Sequence, residues 1–261
     1  MKMNKKIRWI IAHPPADKDS DKSLLNVLRG CKEPDTEVDI AYLELEKTGP
    51  HHLEYHLYED VVLPSLAKKV MEDDKNGYDA SVIGCFYDLG LDTAKEISEN
   101  MIIVGPAESS MKIASTYGHK FSIIVGRRKW IPQMENNVIK YGYKDRLASF
   151  RSLDLGVLDF HEDEEKTADI ITEEARKAVE KDDAEVIILG CTRQFGFYKE
   201  LQAEIGIPVI DTVIAPFKYA EFLAELKNRF DWKQSKIGGY ESPPQEEIGR
   251  WGLEEQYNSK E

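Results

Sequence analysis

Two of the three cysteines in this 261-residue chain sit in the same short phrase, used twice. Ser81-Val82-Ile83-Gly84-Cys85 and Val186-Ile187-Ile188-Leu189-Gly190-Cys191 are both β-branched runs that stop at Gly-Cys. Such a run reads as a buried strand, so each thiol falls just past a strand end. Cys85 and Cys191 are 106 positions apart, and the same offset pairs Gly90 with Gly196, Lys112 with Lys218 and Ala114 with Ala220. It also aligns the apolar run 101–104 with 207–210. A constant register points to an internal repeat, and therefore to two related halves carrying matched thiols. Two facing acid/base groups of one type can take a proton from one face of a carbon and return it to the other. Parallel sheets bind ligands beyond their carboxyl ends, and a helix N-terminus following there would favour a thiolate. A cysteine alone is commonly a small buried hydrophobe, and Cys31 beside Gly30 reads that way or as surface. The repeated context sets Cys85 and Cys191 apart from it.

The elements that must position these thiols alternate along the chain. Strands are predicted over 7–12, 38–43, 101–104, 121–125 and 207–210, besides the two Gly-Cys strands and a weak strand near 155–158. Helices are predicted over 20–28, 91–98, 109–117, 132–141, 167–181, 197–205 and 212–230. A long helix over 53–71 is expected to be interrupted near Pro64. Strict βα alternation with fully apolar strands means parallel sheets covered by helices, an α/β fold. Beyond Asp231 the pattern fades into Gly238-Gly239, Pro243-Pro244 and scattered charges, with Trp232, Tyr240 and Trp251 among them. That stretch reads as a polar tail, or as an arm whose aromatics pack on a neighbouring subunit.

Composition narrows the function. A hydrophobic share of 41%, a charged share of 32% and a net charge of −13 describe a soluble globular chain. They argue against nucleic acid or an anionic membrane as partner. Three cysteines with no CxxC pair suit free thiols in a reducing compartment. The basic start is followed by too few apolar residues for a signal peptide, so the cytoplasm is expected. No GxGxxG or P-loop is present to bind a nucleotide. His52 and His56 stand one helical turn apart, but no third metal ligand accompanies them, so no metal is expected. The acidic run 161–165 reads as surface.

From Gly84 to Leu223 the chain resembles the hydantoin and allantoin racemases of the cofactor-independent aspartate/glutamate racemase superfamily. The residues that carry the resemblance are 84–92, Phe121-Ser122-Ile123-Ile124, 135–138 leading to Tyr141-Gly142, 145–149, 184–191 and Pro208-Val209-Ile210-Asp211. Before Gly84 the match is looser, through a strand, a loop and a Gly49-Pro50…Glu54 segment. The resemblance implies two pseudo-symmetric α/β lobes, each a parallel sheet flanked by helices, with the active site between them. The first lobe would take residues 1–104 and 213–231, the second 105–212, leaving 232–261 as tail or oligomerisation arm. It implies Cys85 and Cys191 as the catalytic pair, one as thiolate base and the other as thiol acid. Backbone amides after each cysteine would hold oxygens that gain charge. Neither pyridoxal phosphate nor a metal would be needed. The partner would be a small molecule (a hydantoin, a ureide or an amino acid), and a homo-oligomer is expected.

Candidate substrate contacts follow from the same loops: His13, Phe86, Tyr87, Asp88, Gly126, Thr192 and Arg193. Several depart from the family wording. His13-Pro14-Pro15 stands where the family has Asn-Pro-Asn, and Val125-Gly126 replaces two threonines. Thr192-Arg193-Gln194 follows the second cysteine where hydantoin racemases carry small apolar residues, and Gly-Cys-Thr is closer to the amino-acid racemases. A guanidinium there suits a carboxylate better than a neutral ring amide, though Arg193 could equally pair with a surface acid. Asp88 could anchor its own loop instead of touching substrate. His51 could reach the cleft, since the family's Gly-Pro loop borders it. A related decarboxylase or cis–trans isomerase is the enzymatic alternative; its relatives often lack the second cysteine. A binding protein that kept the cleft without the chemistry is the third reading.

Overall fold

A computed structural model describes residues 4–14, 18–45 and 49–252. Two four-stranded parallel sheets form its centre. The first has the order β2-β1-β3-β4, with β1 over Lys5–Ile11, β2 over Thr36–Tyr42, β3 over Ala80–Ile83 and β4 over Ile102–Val104. The second repeats that order as β6-β5-β7-β8, with β5 over Phe121–Val125, β6 over Leu147–Ser152, β7 over Val186–Leu189 and β8 over Val209–Ile210. β3, β5 and β7 are buried along their whole length, as strands covered on both faces must be. The expected α/β architecture of two related parallel sheets is what the chain forms.

The repeated Gly-Cys phrase has a physical cause. Gly84 N–H donates to the Ile10 carbonyl at 2.8 Å, and Gly190 N–H donates to the Ile124 carbonyl at 2.7 Å. Each bond adds one rung where the strand ends and pulls the glycine against its neighbour's backbone. A Cβ on Gly84 would lie 2.8 Å from the Ile10 carbonyl oxygen, and one on Gly190 would lie 2.9 Å from that of Ile124. Only glycine fits. The next residue on each strand, the cysteine, is thereby launched from the same height above its sheet.

Helices α1 (Lys18–Cys31), α2 (His56–Lys75), α3 (Leu91–Ile97), α4 (Pro106–Tyr117), α5 (Ile131–Lys140), α6 (Glu164–Asp182), α7 (Tyr198–Ile205) and α8 (Ile214–Phe230) cover the sheets. Two of them exchange sides. α4 leaves β4 of the first sheet and packs on β7 and β8 of the second, while α8 leaves β8 and packs on β1, β3 and β4. Side chains follow the same exchange. Phe86 and Tyr87, in the loop after β3, belong to the apolar core of the second sheet, whereas Phe195, after β7, packs with Trp9, Ile11 and Leu24 of the first.

Three expectations need correction. The weak strand predicted near 155–158 is a turn in which Gly156 N–H donates to Asp159 Oδ2 at 2.7 Å. The strand lies earlier, at β6, an edge strand half-buried throughout, so its sequence lacks an apolar run. α2 starts at His56 instead of Leu53 and passes Pro64 without a break. The carbonyl that Pro64 leaves without an intrahelical donor is that of the exposed Asp60, where water can serve it. The stretch after Asp231 is partly tied to its own chain. Lys236 Nζ donates to the Lys95 and Glu96 carbonyls at 2.7 and 2.8 Å, and Ser242 Oγ to the Glu96 carbonyl at 2.9 Å. A short helix, α9 (Gln245–Arg250), follows. No described helix is long and apolar enough to cross a membrane.

The glycine constraint predicts that Gly84→Ala or Gly190→Ala costs about 1–3 kcal/mol of stability by overpacking. Gly30→Ala, with nothing within 4 Å of its Cβ position in α1, should instead gain up to about 1 kcal/mol. Urea unfolding of the three variants against the parent checks both signs.

Candidate active site

Cys85 and Cys191 open into one cleft between the sheets, from the carboxyl ends of β3 and β7. The cleft holds about 760 Å³ of empty space, counting its open mouth. Its walls are largely apolar, from Trp9, Leu53, Phe86, Trp130, Met134 and Val157. Polar groups enter at a few points only: His13, His52, Glu54, Thr192 and Arg193. The first sheet therefore supplies one thiol and the second sheet the other, as the repeat implied.

Each sulfur is met by the backbone N–H two residues on. Tyr87 N–H faces Cys85, and Arg193 N–H donates to Cys191 Sγ at 3.5 Å. Helix N-termini do not reach the sulfurs. α3 begins only at Leu91, and a 3-10 turn over Thr192–Gln194 separates Cys191 from α7 at Tyr198. Burial consequently outweighs the local donors. It pushes the Cys191 thiol up to about 11, against the Arg193 and Gln194 N–H groups and the Arg193 charge. Burial pushes Cys85 higher still, with only the Tyr87 N–H opposing it. Burial thus favours the neutral thiol at both cysteines, and less strongly at Cys191. Cys31 lies away from the cleft, its thiol donating to the Leu28 carbonyl at 3.4 Å.

Five of the seven anticipated contact residues line the cleft: His13, Phe86, Tyr87, Thr192 and Arg193. His13 Nδ1 lies 2.7 Å from the Pro14 carbonyl. Thr192 Oγ1 donates across the cleft to the Gly84 carbonyl at 3.1 Å. The Arg193 carbonyl pairs with His161 Nε2 at 2.8 Å. Asp88 does not line the cleft. Its carboxylate turns to the start of α4, accepting from Ala107 and Glu108 N–H at 2.9 and 2.8 Å and from Tyr141 OH at 2.8 Å. Burial lifts the Asp88 carboxyl to about 7 although these three donors favour its anion. Gly126 also stands back from the lining. A Cβ there would lie 2.5 Å from the Leu155 carbonyl and would collide with the Trp130 ring; the glycine lets Trp130 close the cleft wall.

Several lining residues escaped the sequence reading. His52 reaches the cleft, whereas His51 is exposed. Glu54 is buried and joins the two halves: Val157 N–H donates to Oε1 at 2.9 Å and Arg127 Nη1 to Oε2 at 2.8 Å. Burial works against the Glu54 anion, but the Val157 N–H and Arg127 hold its carboxyl below the usual range. His56, the other member of the spacing pair, meets Glu59 instead, Nδ1 to Oε1 at 3.2 Å. The Gly49-Pro50…Glu54 segment was the one available signal for this rim. Trp130 and Met134 gave none, because an apolar helix start reads as core.

Comparison with known proteins gives this architecture a family. The sequence profile described as Asp/Glu/Hydantoin racemase matches residues 22–220. The chain belongs to this racemase family. It is an enzyme of the isomerase class. A hydantoin racemase from Pseudomonas sp. (strain NS671) is 35% identical over 201 residues, 77% of this chain and 79% of that protein. A hydantoin racemase from Paenarthrobacter aurescens is 35% identical over 200 residues, 76% of this chain and 83% of that one. Among solved structures, an allantoin racemase from Klebsiella pneumoniae superposes with a TM-score of 0.83 at 24% identity, covering 92% of this chain and 94% of the other.

Two measurements test the electrostatics of this racemase. Iodoacetamide should alkylate Cys191 ahead of Cys85, at a rate rising about tenfold per pH unit toward pH 11; peptide mapping reads both sites. Asp88, protonated in the fold up to about pH 7, ionises near pH 4 when unfolded. Its contribution to stability is thus full below about pH 4 and is lost as pH rises through 7. Urea midpoints across that window should fall less steeply in Asp88→Asn than in the parent.

Proposed function

We propose that this racemase inverts the α-carbon of a hydantoin-like compound by a two-thiol proton transfer. The observation that carries the reading is that two thiols, one from each sheet, open onto the same cleft with matched N–H partners. Substrate binding would complete the ionisation that burial resists, with Cys191 as the first base because two N–H groups and the Arg193 charge already favour its anion. The Cys191 thiolate removes the α-proton, and the electron pair of the broken C–H bond moves onto the adjacent carbonyl as an enolate. Cys85 then delivers its proton to the opposite face, ending as the thiolate. Starting from the other enantiomer, the two thiols exchange roles. The apolar walls support a neutral ring with an apolar substituent as ligand.

The two-lobe division at about residues 104 and 213 belongs to this reading, since each lobe then owns one thiol. Free thiols at Cys31, Cys85 and Cys191 support residence in the cytoplasm. Exposed Trp232 and Trp251 support a homo-oligomer in solution. An amino-acid substrate is the second reading, favoured by Arg193 at the cleft, whose guanidinium suits a carboxylate.

Chiral chromatography in D₂O on 5-substituted hydantoins, allantoin and free amino acids tests the proposal. Racemisation should bring one deuterium onto the α-carbon. Cys85→Ser and Cys191→Ser should each lower kcat by about 10²–10⁴-fold. Each variant should still exchange the proton of the one enantiomer whose C–H faces its remaining thiol. Racemisation at the parental rate in either variant rules the mechanism out, and turnover of free amino acids alone selects the second reading.

A further inference from the structure

Cys85 and Cys191 hang from different sheets, so no strand pairing sets the distance between their sulfurs. Among the contacts that cross that boundary, three side-chain donors reach the short loop that carries Cys85. Thr192 Oγ1 donates to the Gly84 carbonyl at 3.1 Å, Asn137 Nδ2 to the Tyr87 carbonyl at 2.7 Å, and Tyr141 OH to Asp88 Oδ2 at 2.8 Å. Thr192 adjoins one thiol residue and Gly84 adjoins the other, so this hydroxyl spaces the two peptide units that bear the thiols. Asn137 and Tyr141 stand one helical turn apart at the end of α5 and grip the loop beyond Cys85. Asp88 itself is held in a left-handed turn at φ 53° and bonded to the start of α4. The loop is thus pinned at residues 84, 87 and 88, with Cys85 between the pins.

We infer that Thr192, Asn137 and Tyr141 are positioning residues that set the Cys85–Cys191 spacing, an inference that rests on the two-thiol reading. Proton transfer in both directions needs each sulfur in reach of one carbon from opposite sides. A displacement of about 1 Å costs such a reaction about 10²-fold. Asn137 and Tyr141 stand outside the cleft lining, and Thr192→Val keeps the size of the side chain that lines it, so the loss falls on kcat and spares KM.

The test uses a Cys31→Ser parent carrying Thr192→Val, Thr192→Ser, Asn137→Ala or Tyr141→Phe. Ser98→Ala serves as control, since it removes a buried hydrogen bond to the Met101 carbonyl outside the cleft. Two quantities are read: kcat and KM in both directions, and the fluorescence yield of dibromobimane, which requires both its arms to react and so reports the spacing of Cys85 and Cys191. Thr192→Val, Asn137→Ala and Tyr141→Phe should each lower kcat about 10–100-fold with KM within about threefold, and lower the cross-linking yield. Thr192→Ser should restore both, and Ser98→Ala should change neither. If Asn137→Ala does not fold, the near-isosteric Thr192→Val and Tyr141→Phe carry the same test. Unchanged cross-linking and kcat in those two variants overturns the inference, as does a Ser98→Ala loss equal to theirs. The two-thiol reading fails separately, through a Cys85→Ser or Cys191→Ser enzyme that racemises at the parental rate, while the cross-linking yield still reports on the brace.

Discussion

The whole site depends on a glycine N–H that closes the last rung of a parallel sheet. Gly84 against Ile10 and Gly190 against Ile124 make the same bond, and in both places a Cβ would meet the neighbouring carbonyl. A parallel strand pair ordinarily leaves its final backbone groups to loops or water. Here the rung is made, and the chain leaves the sheet directly after it. The side chain of the following residue must then rise from the carboxyl edge of the strand. Because both sheets have the same strand order, the two cysteines occupy equivalent heights and face one space.

Once the thiols are there, the exchange of elements between lobes decides how rigidly they are held. α4 and α8 each pack on the sheet opposite their own strand, and Phe86, Tyr87 and Phe195 bury apolar surface across the same boundary. Apolar burial supplies the adhesion without direction. Polar contacts supply direction: Glu54 to Arg127 and Val157 on one rim, Gln133 to Glu59 at 2.7 Å beside it, and Thr192 to Gly84 at the floor. The result is a cleft whose walls come from both halves and whose geometry neither half holds alone.

The burial that encloses both sulfurs also opposes their ionisation. Cys191 lies closer to ionisation than Cys85 because Arg193 and the 3-10 turn serve it, while only one N–H opposes burial at Cys85. The pseudo-symmetric fold is therefore electrostatically lopsided. The cause lies in the residues after each thiol, Thr192-Arg193-Gln194 in one half and Phe86-Tyr87-Asp88 in the other. Asp88 shows how the halves diverge. From the thiol loop it caps α4, the helix that packs on the opposite sheet, with Gly105 leaving room, since a Cβ there would sit 2.5 Å from Asp88 Cγ. In the other half Asp211 does this work from the helix start, accepting from Val213 and Ile214 N–H at 2.8 and 3.1 Å.

The sequence by itself determined seven of the eight described strands, most helices and the two thiols, because all of these write locally: apolar runs, helical periodicity and a glycine that admits no substitute. It also marked five cleft residues, each within two positions of a cysteine or at the end of the first strand. It misplaced β6, whose edge position relaxes the apolar run that betrays a central strand. Only the tertiary structure decided that Asp88 and Gly126 support the site from behind. The direction in which a loop side chain turns depends on partners such as Tyr141, Ala107 and Trp130 that lie 19 to 53 positions away or across a glycine. Only the tertiary structure brought in His52, Glu54, Trp130 and Met134, since residues that meet across two lobes carry no common signal along one chain. Burial, likewise a sum over distant neighbours, works against the thiolate that the following helix starts were expected to favour.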